Sequence, residues 1–512
     1  MINYWWVTRP KRKLNSIPEV LSTFSELSLN QQWEGQRSSH LSLEDALEQA
    51  GLKRQGERRD QGGGGARTYK AWLVSLGLIF TQETTRQIKL TLAGEAIING
   101  DSPVEVLKNQ VLKYQFPSAF SVGRGVEVAS RFKIHPFVFL LKLLMDSRIE
   151  FLSQDEMANI VIVEAEDETD KCYEYIVRRI LDYRNFGKSV LSADFRDIYG
   201  VSDSSTNLND VANTMMNWLD YTQLTMRENG KICIVPEKKV EIKQILAKSF
   251  PFIDRPYEHE FFQRKYGIDP KHNKYTRNLS MTKTVTAKML AEQQIIRTYM
   301  TLSLQKPITQ INSSLINHIA SVTGLKETLV EEILQQKYPK GSVSSFMTKY
   351  YEMAFKGRDE ATDFEKATVE LFRDVFGYQA KHVGPIGLTP DVLILSDNDG
   401  YVGIIDNKAY SKYSISNDHH NRMVHNYIKG LGNYYDCELP LGFFTYIAGG
   451  FGSKIDSQVQ GIVHETGIHG SAINVHNMIE LTQNHTERAY SHTNLRDLFS
   501  IDRQILMSDF AR

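Results

Sequence analysis

Cysteine is scarce in this sequence: Cys172, Cys233 and Cys437 stand far apart among 512 residues. Three such residues support neither a disulfide framework nor a cysteine-ligated zinc site. No apolar run reaches the roughly 18 residues that a membrane span needs. The basic N-terminus MINYWWVTRPKRK also lacks the apolar core of a secretory signal. Neither sign of charge is in excess, since 60 Lys and Arg face 61 Asp and Glu. Affinity for a polyanion must therefore come from local clustering. A GxxxxGK[ST] loop is missing, because the triplet Gly187-Lys188-Ser189 has no leading glycine, so NTP hydrolysis is not indicated. HExxH, GxSxG and paired CxxC motifs are missing too. What is there, 41% hydrophobic and 24% charged residues, can build cores. The length suggests about three domains at roughly 100–200 residues each, and the chain is expected to be soluble, intracellular and multidomain.

Up to about residue 150 the pattern is mainly helical. The stretch 41–52 reads as a short helix, Gly62 to Gly65 as a flexible loop, and 69–80 as apolar at helical spacing. Residues 86–98 read as strand into helix, which gives the outline of a winged helix, and 134–145 reads as a buried helix. A second, mostly helical module is expected over 151–340, with helices near 168–184, 208–223 and 285–303; Pro339 and Gly341 break the pattern at its end. From 341 to 512 the texture changes to α/β. An amphipathic helix over 364–378 precedes two alternating strands, 391–395 and 401–410, joined by the turn 396–400, with a further helix at about 417–435 and apolar strands at 441–450 and 472–482. The expected architecture is multidomain: mainly α, winged-helix-like recognition modules followed by an α/β domain with a mixed central sheet.

The chemistry lies in that hairpin. Pro390-Asp391 opens one strand, and Asp406-Asn407-Lys408 closes the next, fifteen residues on. A tight turn brings the two carboxylates to one end of the hairpin, and Asp406 and Lys408, two apart, share a face of their strand. Two hard oxygen ligands on one face suit Mg²⁺, which takes one or two carboxylates and keeps several waters. A lysine beside them can position or deprotonate a water and stabilise charge on a phosphate. The plain alternative is an Asp flanking a turn and a surface Asp–Lys pair. Against it, Asp406 follows the apolar Gly403-Ile404-Ile405, where an unpartnered charge is costly.

Residues 364–410 resemble the cleavage domain of FokI-type type IIS restriction endonucleases, with its PD-(D/E)xK motif. The resemblance rests on 369-VELFRDVFGY-378, 381-KHVG-384, Pro390-Asp391 and 406-DNKAY-410, and continues into 443-FFTYIAGGFG-452. It implies that Asp391 and Asp406 bind the divalent metal and that Lys408 is the catalytic lysine. It also implies that Glu370 could reach the metal from the preceding helix, a surface position being the alternative. Asp418 and Arg422 would then be the acidic–basic pair on the helix that joins two cleavage domains, the alternative being an intrahelical salt bridge. His419, His420 and His425 invite a zinc reading, but adjacent histidines on a polar helix are usually solvated.

Recognition of a site needs cations. Lys53, Arg54, Arg58, Arg59, Arg67 and Lys70 flank the glycine run, against two acidic residues, and can neutralise phosphates or fork onto guanine. A solvated basic loop is the alternative. The segment 264–288 holds seven Lys and Arg, including Lys271, Lys274 and Arg277, with Asp269 as its single acid and Tyr266 and Tyr275 interleaved. The first half is also similar to the recognition region of AlwI-type restriction and nicking endonucleases, on 68-TYKAWLVSLGLIF-80, 90-LTLAGEAII-98, 113-KYQFPS-118 and 135-HPFVFLLKLL-144. The resemblances imply a Mg²⁺-dependent enzyme of a prokaryotic cytoplasm that cuts duplex DNA outside its recognition site. It would cut both strands as a transient homodimer or with a partner nuclease subunit, and a companion DNA methyltransferase is implied. A strand-specific nickase and a catalytically silent DNA-binding protein are the other readings.

Overall fold

The structure is a computed structural model, which describes residues 1–53, 62–99, 101–121, 127–199, 206–228, 230–268, 287–355, 357–384, 387–436 and 438–511. The chain forms two compact units: Met1–Thr301 with Asn312–Tyr338, and Leu302–Ile311 with Pro339–Arg512.

The first unit is mainly helical. Helix α1 (Ile17–Ser28) has Pro18 in its first turn, where a missing N–H costs nothing, and buries Ile17, Val20, Leu21 and Phe24. Helices α2 (Arg37–Gln49) and α3 (Gly64–Ser75) follow, then an antiparallel pair, β1 (Ile79–Thr81) and β2 (Ile88–Leu90). The glycine run is not simply a loop: Gly64 and Gly65 open α3. A Cβ on Gly65 would lie 2.6 Å from Glu44 Oε1. The same buried oxygen accepts from the Ala66 N–H at 2.9 Å and so caps the start of α3. Gly63, at φ +81°, makes the turn into the helix, and a side chain there would strike His40. The glycines let α3 start against α2. The apolar stretch 134–145 is the helix Pro136–Met145, buried along nearly its whole length. Helices Asp170–Phe186, Thr206–Tyr221 and Ala287–Gln305 stand near the expected positions. The three-stranded antiparallel sheet β3 (Phe151–Ser153), β5 (Lys231–Ile234) and β4 (Thr225–Glu228), in that order, was not foreseen. Strands of three or four residues leave too short an alternation to read.

The second unit is α/β. Its sheet has the order β11-β10-β9-β8-β7-β6, with β6 Gln379–His382, β7 Val392–Ser396, β8 Tyr401–Lys408, β9 Leu441–Ala448, β10 Gly470–Asn474 and β11 Arg503–Gln504. The pairs β6–β7 and β7–β8 are antiparallel, whereas β8 to β11 run parallel, so the sheet is mixed. Both faces are covered. Val392, Ile394, Ile405, Phe443, Ile447 and Ile473 meet one layer of helices, and Leu393, Val402, Ile404, Phe444 and Ala472 meet the other. Burial on both faces is why these strands read as near-continuous apolar runs. Among the described residues no helix is long and apolar enough to cross a membrane.

Candidate active site

The β7–β8 register pairs Val392 with Ile405, so the next residues outward are Asp391 and Asp406. Both reach one end of the hairpin. Lys408 Nζ lies 2.6 Å from Asp406 Oδ2 and 3.8 Å from Asp391 Oδ2. The Asn407 N–H donates to Asp391 Oδ2 at 2.7 Å, which orients that carboxylate. Asp406 is 2% exposed, and its Oδ1 is buried without a hydrogen-bond partner.

The electrostatics are unbalanced. Burial pushes the Asp391 carboxyl well above the usual range, and the negative charges of Asp406 and Glu365 push it further, against Lys408. Burial draws Lys408 the other way, but Asp406 and Asp391 outweigh it and hold the ammonium charged above its ordinary value. Lys408 is thus placed to stabilise developing negative charge rather than to act as a base near neutrality. Tyr446, paired with Asp406 in the β8–β9 register, is wholly buried, and burial keeps its phenol neutral.

Glu365 is the acidic residue that sequence reasoning missed. It lies on the helix Ala361–Glu370, and its Oε2 is 2.7 Å from His382 Nε2. A Cβ on Gly384 would sit 3.3 Å from Glu365 Oε2 and 3.5 Å from Asp391 Oδ1. The glycine leaves room between the two carboxylates. Thr368, on the same face, accepts from Asn407 Nδ2 at 2.7 Å and so turns that face toward β8. Glu370, expected in this place, is two residues further and roughly 200° round the helix. Burial raises its carboxyl, with Arg373, Asp374 and Lys306 as its charged neighbours. The apolar periodicity marked the buried face but not which flanking acid touches the site.

The remaining expected residues are dispersed. Asp418 and Arg422 form an exposed i, i+4 pair at 2.9 Å, where the helix Asn417–Asn421 passes into a π-helical stretch, Arg422–Ile428. His419 Nδ1 is 2.8 Å from the Tyr413 hydroxyl, whereas His420 and His425 face Glu465 at 2.9 and 3.8 Å. Among the described residues no group of three or more His, Cys, Asp and Glu is gathered as a metal cage. Lys53 pairs with Glu48 at 2.6 Å and Glu44 at 3.4 Å. Arg67 donates to the Gly62 carbonyl at 2.8 Å, and Lys70 lies 3.4 Å from Thr81 Oγ1. Arg54, Arg58, Arg59, Lys271, Lys274 and Arg277 fall outside the described residues.

The donor set fits a hard divalent cation. It offers two adjoining carboxylates, an unpartnered buried oxygen and a cleared flank, with more negative charge than one lysine neutralises.

The chain matches two known families: the FokI cleavage domain over residues 324–506 and the AlwI restriction endonuclease over residues 74–363. No curated protein matches it. Among solved structures, restriction endonuclease FokI is 14% identical, with 99% of this chain and 100% of that chain covered and a TM-score of 0.29. FokI bound to DNA is 13% identical at the same coverage, with a TM-score of 0.28. The BpuJ1 endonuclease binding domain, in complex with pyrene- and phenanthrene-modified DNA, is 14% identical over 52% of this chain and 96% of that one, with a TM-score of 0.38. The AlwI match spans more than half of the chain and the cleavage-domain match takes in the β7–β8 hairpin, so this protein belongs to the AlwI restriction endonuclease family and is a type IIS restriction endonuclease with a FokI-type cleavage domain.

Proposed function

We propose that the protein binds a short sequence in duplex DNA and hydrolyses phosphodiester bonds at a fixed distance to one side of it. Residues 1–150 and 151–340 are read as two recognition modules, and 341–512 as the nuclease. The observation that carries the catalytic reading is the pair Asp391 and Asp406 with Lys408 between them, one carboxylate oxygen buried and unpartnered. Asp391 and Asp406 would hold a divalent cation, Mg²⁺ by its taste for carboxylate oxygen, with Glu365 beside them in the place expected for Glu370. When bound, that ion supplies Lewis-acid stabilisation to a phosphoryl oxygen. Lys408 places its ammonium against the charge that develops as water attacks phosphorus. The Asn407 N–H fixes Asp391, and the Tyr446 wall keeps the far side dry. The P–O bond breaks, and the leaving oxygen takes up a proton.

One such site cuts one strand, so scission of both needs a second cleavage domain, from another copy of the chain or a partner subunit. A companion methyltransferase and a prokaryotic cytoplasmic setting complete the reading. The test is digestion of a sequenced plasmid with Mg²⁺, followed by run-off sequencing of both strands. Discrete breaks on both strands, at one offset from a short motif, are expected. Breaks confined to one strand would replace this reading with a nickase. Binding without cleavage under any divalent metal would leave a silent nuclease fold.

A further inference from the structure

On α3, Arg67, Lys70, Ala71 and Val74 recur at i, i+3, i+4 and i+7, so they share a face. That face lines a cavity of about 680 Å³, whose other walls come from Trp33, the β1–β2 connection and the segment 257–263. Trp33 is nearly fully buried and forms an aromatic back wall. Lys70 Nζ stands 5.9 Å from the centre of its ring. Among the described residues the ammonium has no carboxylate within 4 Å, and its hydrogen-bond partner is the Thr81 hydroxyl at 3.4 Å. A half-buried cation with no carboxylate in contact, and with Glu34 acting on it only from a distance, is costly, and a cavity around it is the place for an anion.

The charged and titratable groups around the cleft are Arg67 on Lys70's own helix, Glu34 and His40 beside Trp33, Glu83 and Arg86 from the β1–β2 turn, and Tyr257 and His259 from the last wall. Counting Lys70, Arg67 and Arg86 against Glu34 and Glu83, cations exceed carboxylates. The aromatic wall and exposed Tyr257 suit the apolar face of a sugar or base.

We propose that this cleft grips the DNA backbone during target recognition: Lys70 takes a phosphodiester, flanked by Arg67 and Arg86, with the sugar lying toward Trp33. The proposal rests on the reading that this unit binds DNA, and adds the residue that anchors it. A contact of this kind positions the duplex and carries no sequence information of its own. Burial, only partly opposed by Glu34, draws Lys70 down to about 8, so the free cleft loses this one of its three cations as pH rises through that value. An arriving phosphate restores the proton. Affinity for DNA therefore falls from pH 7 to pH 9.

The experiment is fluorescence anisotropy of the full chain with a labelled duplex carrying the mapped target, and with a scrambled duplex, in Ca²⁺ or EDTA to prevent cutting. Lys70→Met is expected to weaken both duplexes about tenfold and to lower the salt slope by about one. Lys70→Arg keeps the cation at every pH and should bind at pH 9 as at pH 7, which a merely structural lysine would not predict. Lys70→Met should also melt no lower than the wild type, since it removes a desolvated charge. Wild-type affinity and salt slope in Lys70→Met would overturn the assignment, as would an equal loss of affinity at pH 9 in Lys70→Arg. Competition by millimolar inorganic phosphate that vanishes in Lys70→Met, with DNA affinity unchanged, would make the cleft a free-anion site and likewise overturn it. If the wild type binds no duplex at all, the nuclease reading falls with it; if the wild type binds and cuts while Lys70→Met matches it, only the cleft falls.

Discussion

The protein alone disfavours a negative charge on Asp391. Burial and the neighbouring Asp406 both raise its carboxyl in the folded chain, and a carboxyl raised by folding contributes stability below its unfolded pKa and loses it as pH rises through the folded value. Without metal, ionising Asp391 works against the fold; a bound divalent cation would reverse the sign. Asp391→Asn keeps an oxygen to accept the Asn407 N–H and deletes the repulsion. It should therefore melt higher than the wild type in EDTA, by roughly 2–4 °C for each kcal/mol relieved. On the proposed reading the same change removes a metal ligand worth several kcal/mol to the transition state, so cleavage should fall about a thousandfold or more. Mg²⁺ should raise the melting temperature of the wild type and leave the variant still. Scanning fluorimetry with and without Mg²⁺ checks both halves. A variant that melts below the wild type in EDTA, or responds to Mg²⁺ as the wild type does, would remove Asp391 from the site.

At the scale of elements, the helix Ala361–Glu370 is pinned to β8 through one hydroxyl. Thr368 Oγ1 takes the Asn407 amide at 2.7 Å, meets the Tyr350 hydroxyl at 2.9 Å and donates to the Phe364 carbonyl at 2.9 Å. All of this is buried. Thr368→Val keeps the shape and strands the Asn407 amide and the Tyr350 hydroxyl, at a cost of about 1–3 kcal/mol for each group left unsatisfied. A fall in melting temperature of roughly 4–8 °C is expected for about 2 kcal/mol; an unchanged melt would show that the hydroxyl does not tie the two elements. How much of this was legible follows from the kind of signal. The β7–β8 hairpin could be read because two apolar runs, a five-residue turn and paired aspartates fix register together. Glu365 and Thr368 could not, because helical periodicity gives the buried face without the angle at which the helix crosses the sheet. Gly64 and Gly65 read as loop, since their role in letting α3 start against α2 depends on Glu44, twenty residues away. The short β3–β5–β4 sheet left too little pattern to find.

At the scale of the molecule, the chain passes between its two units more than once. Leu302–Ile311 belongs with the nuclease side, where the Ile308 carbonyl takes the Ser342 N–H at 2.7 Å, and a side chain on Gly341 would strike that same carbonyl. Such an excursion has no sequence signature, because it is a matter of tertiary pairing. The same scale decides whether a chain with one Asp391–Asp406–Lys408 site opens one strand or both. Arg422 and Asp418 lie exposed on a helix and satisfy each other at 2.9 Å, a pairing worth about 0.3–0.5 kcal/mol within the chain. If they also join two cleavage domains, Arg422→Ala should leave the melting temperature within about 1 °C and the first nick at its wild-type rate. Linearisation of a one-site plasmid should slow several-fold, with nicked circles accumulating, and recover as enzyme concentration is raised. Time courses on agarose at several concentrations measure both steps. Linearisation at the wild-type rate and independent of concentration would place duplex cutting in a single copy of the chain and assign the Asp418–Arg422 pair to its own helix alone.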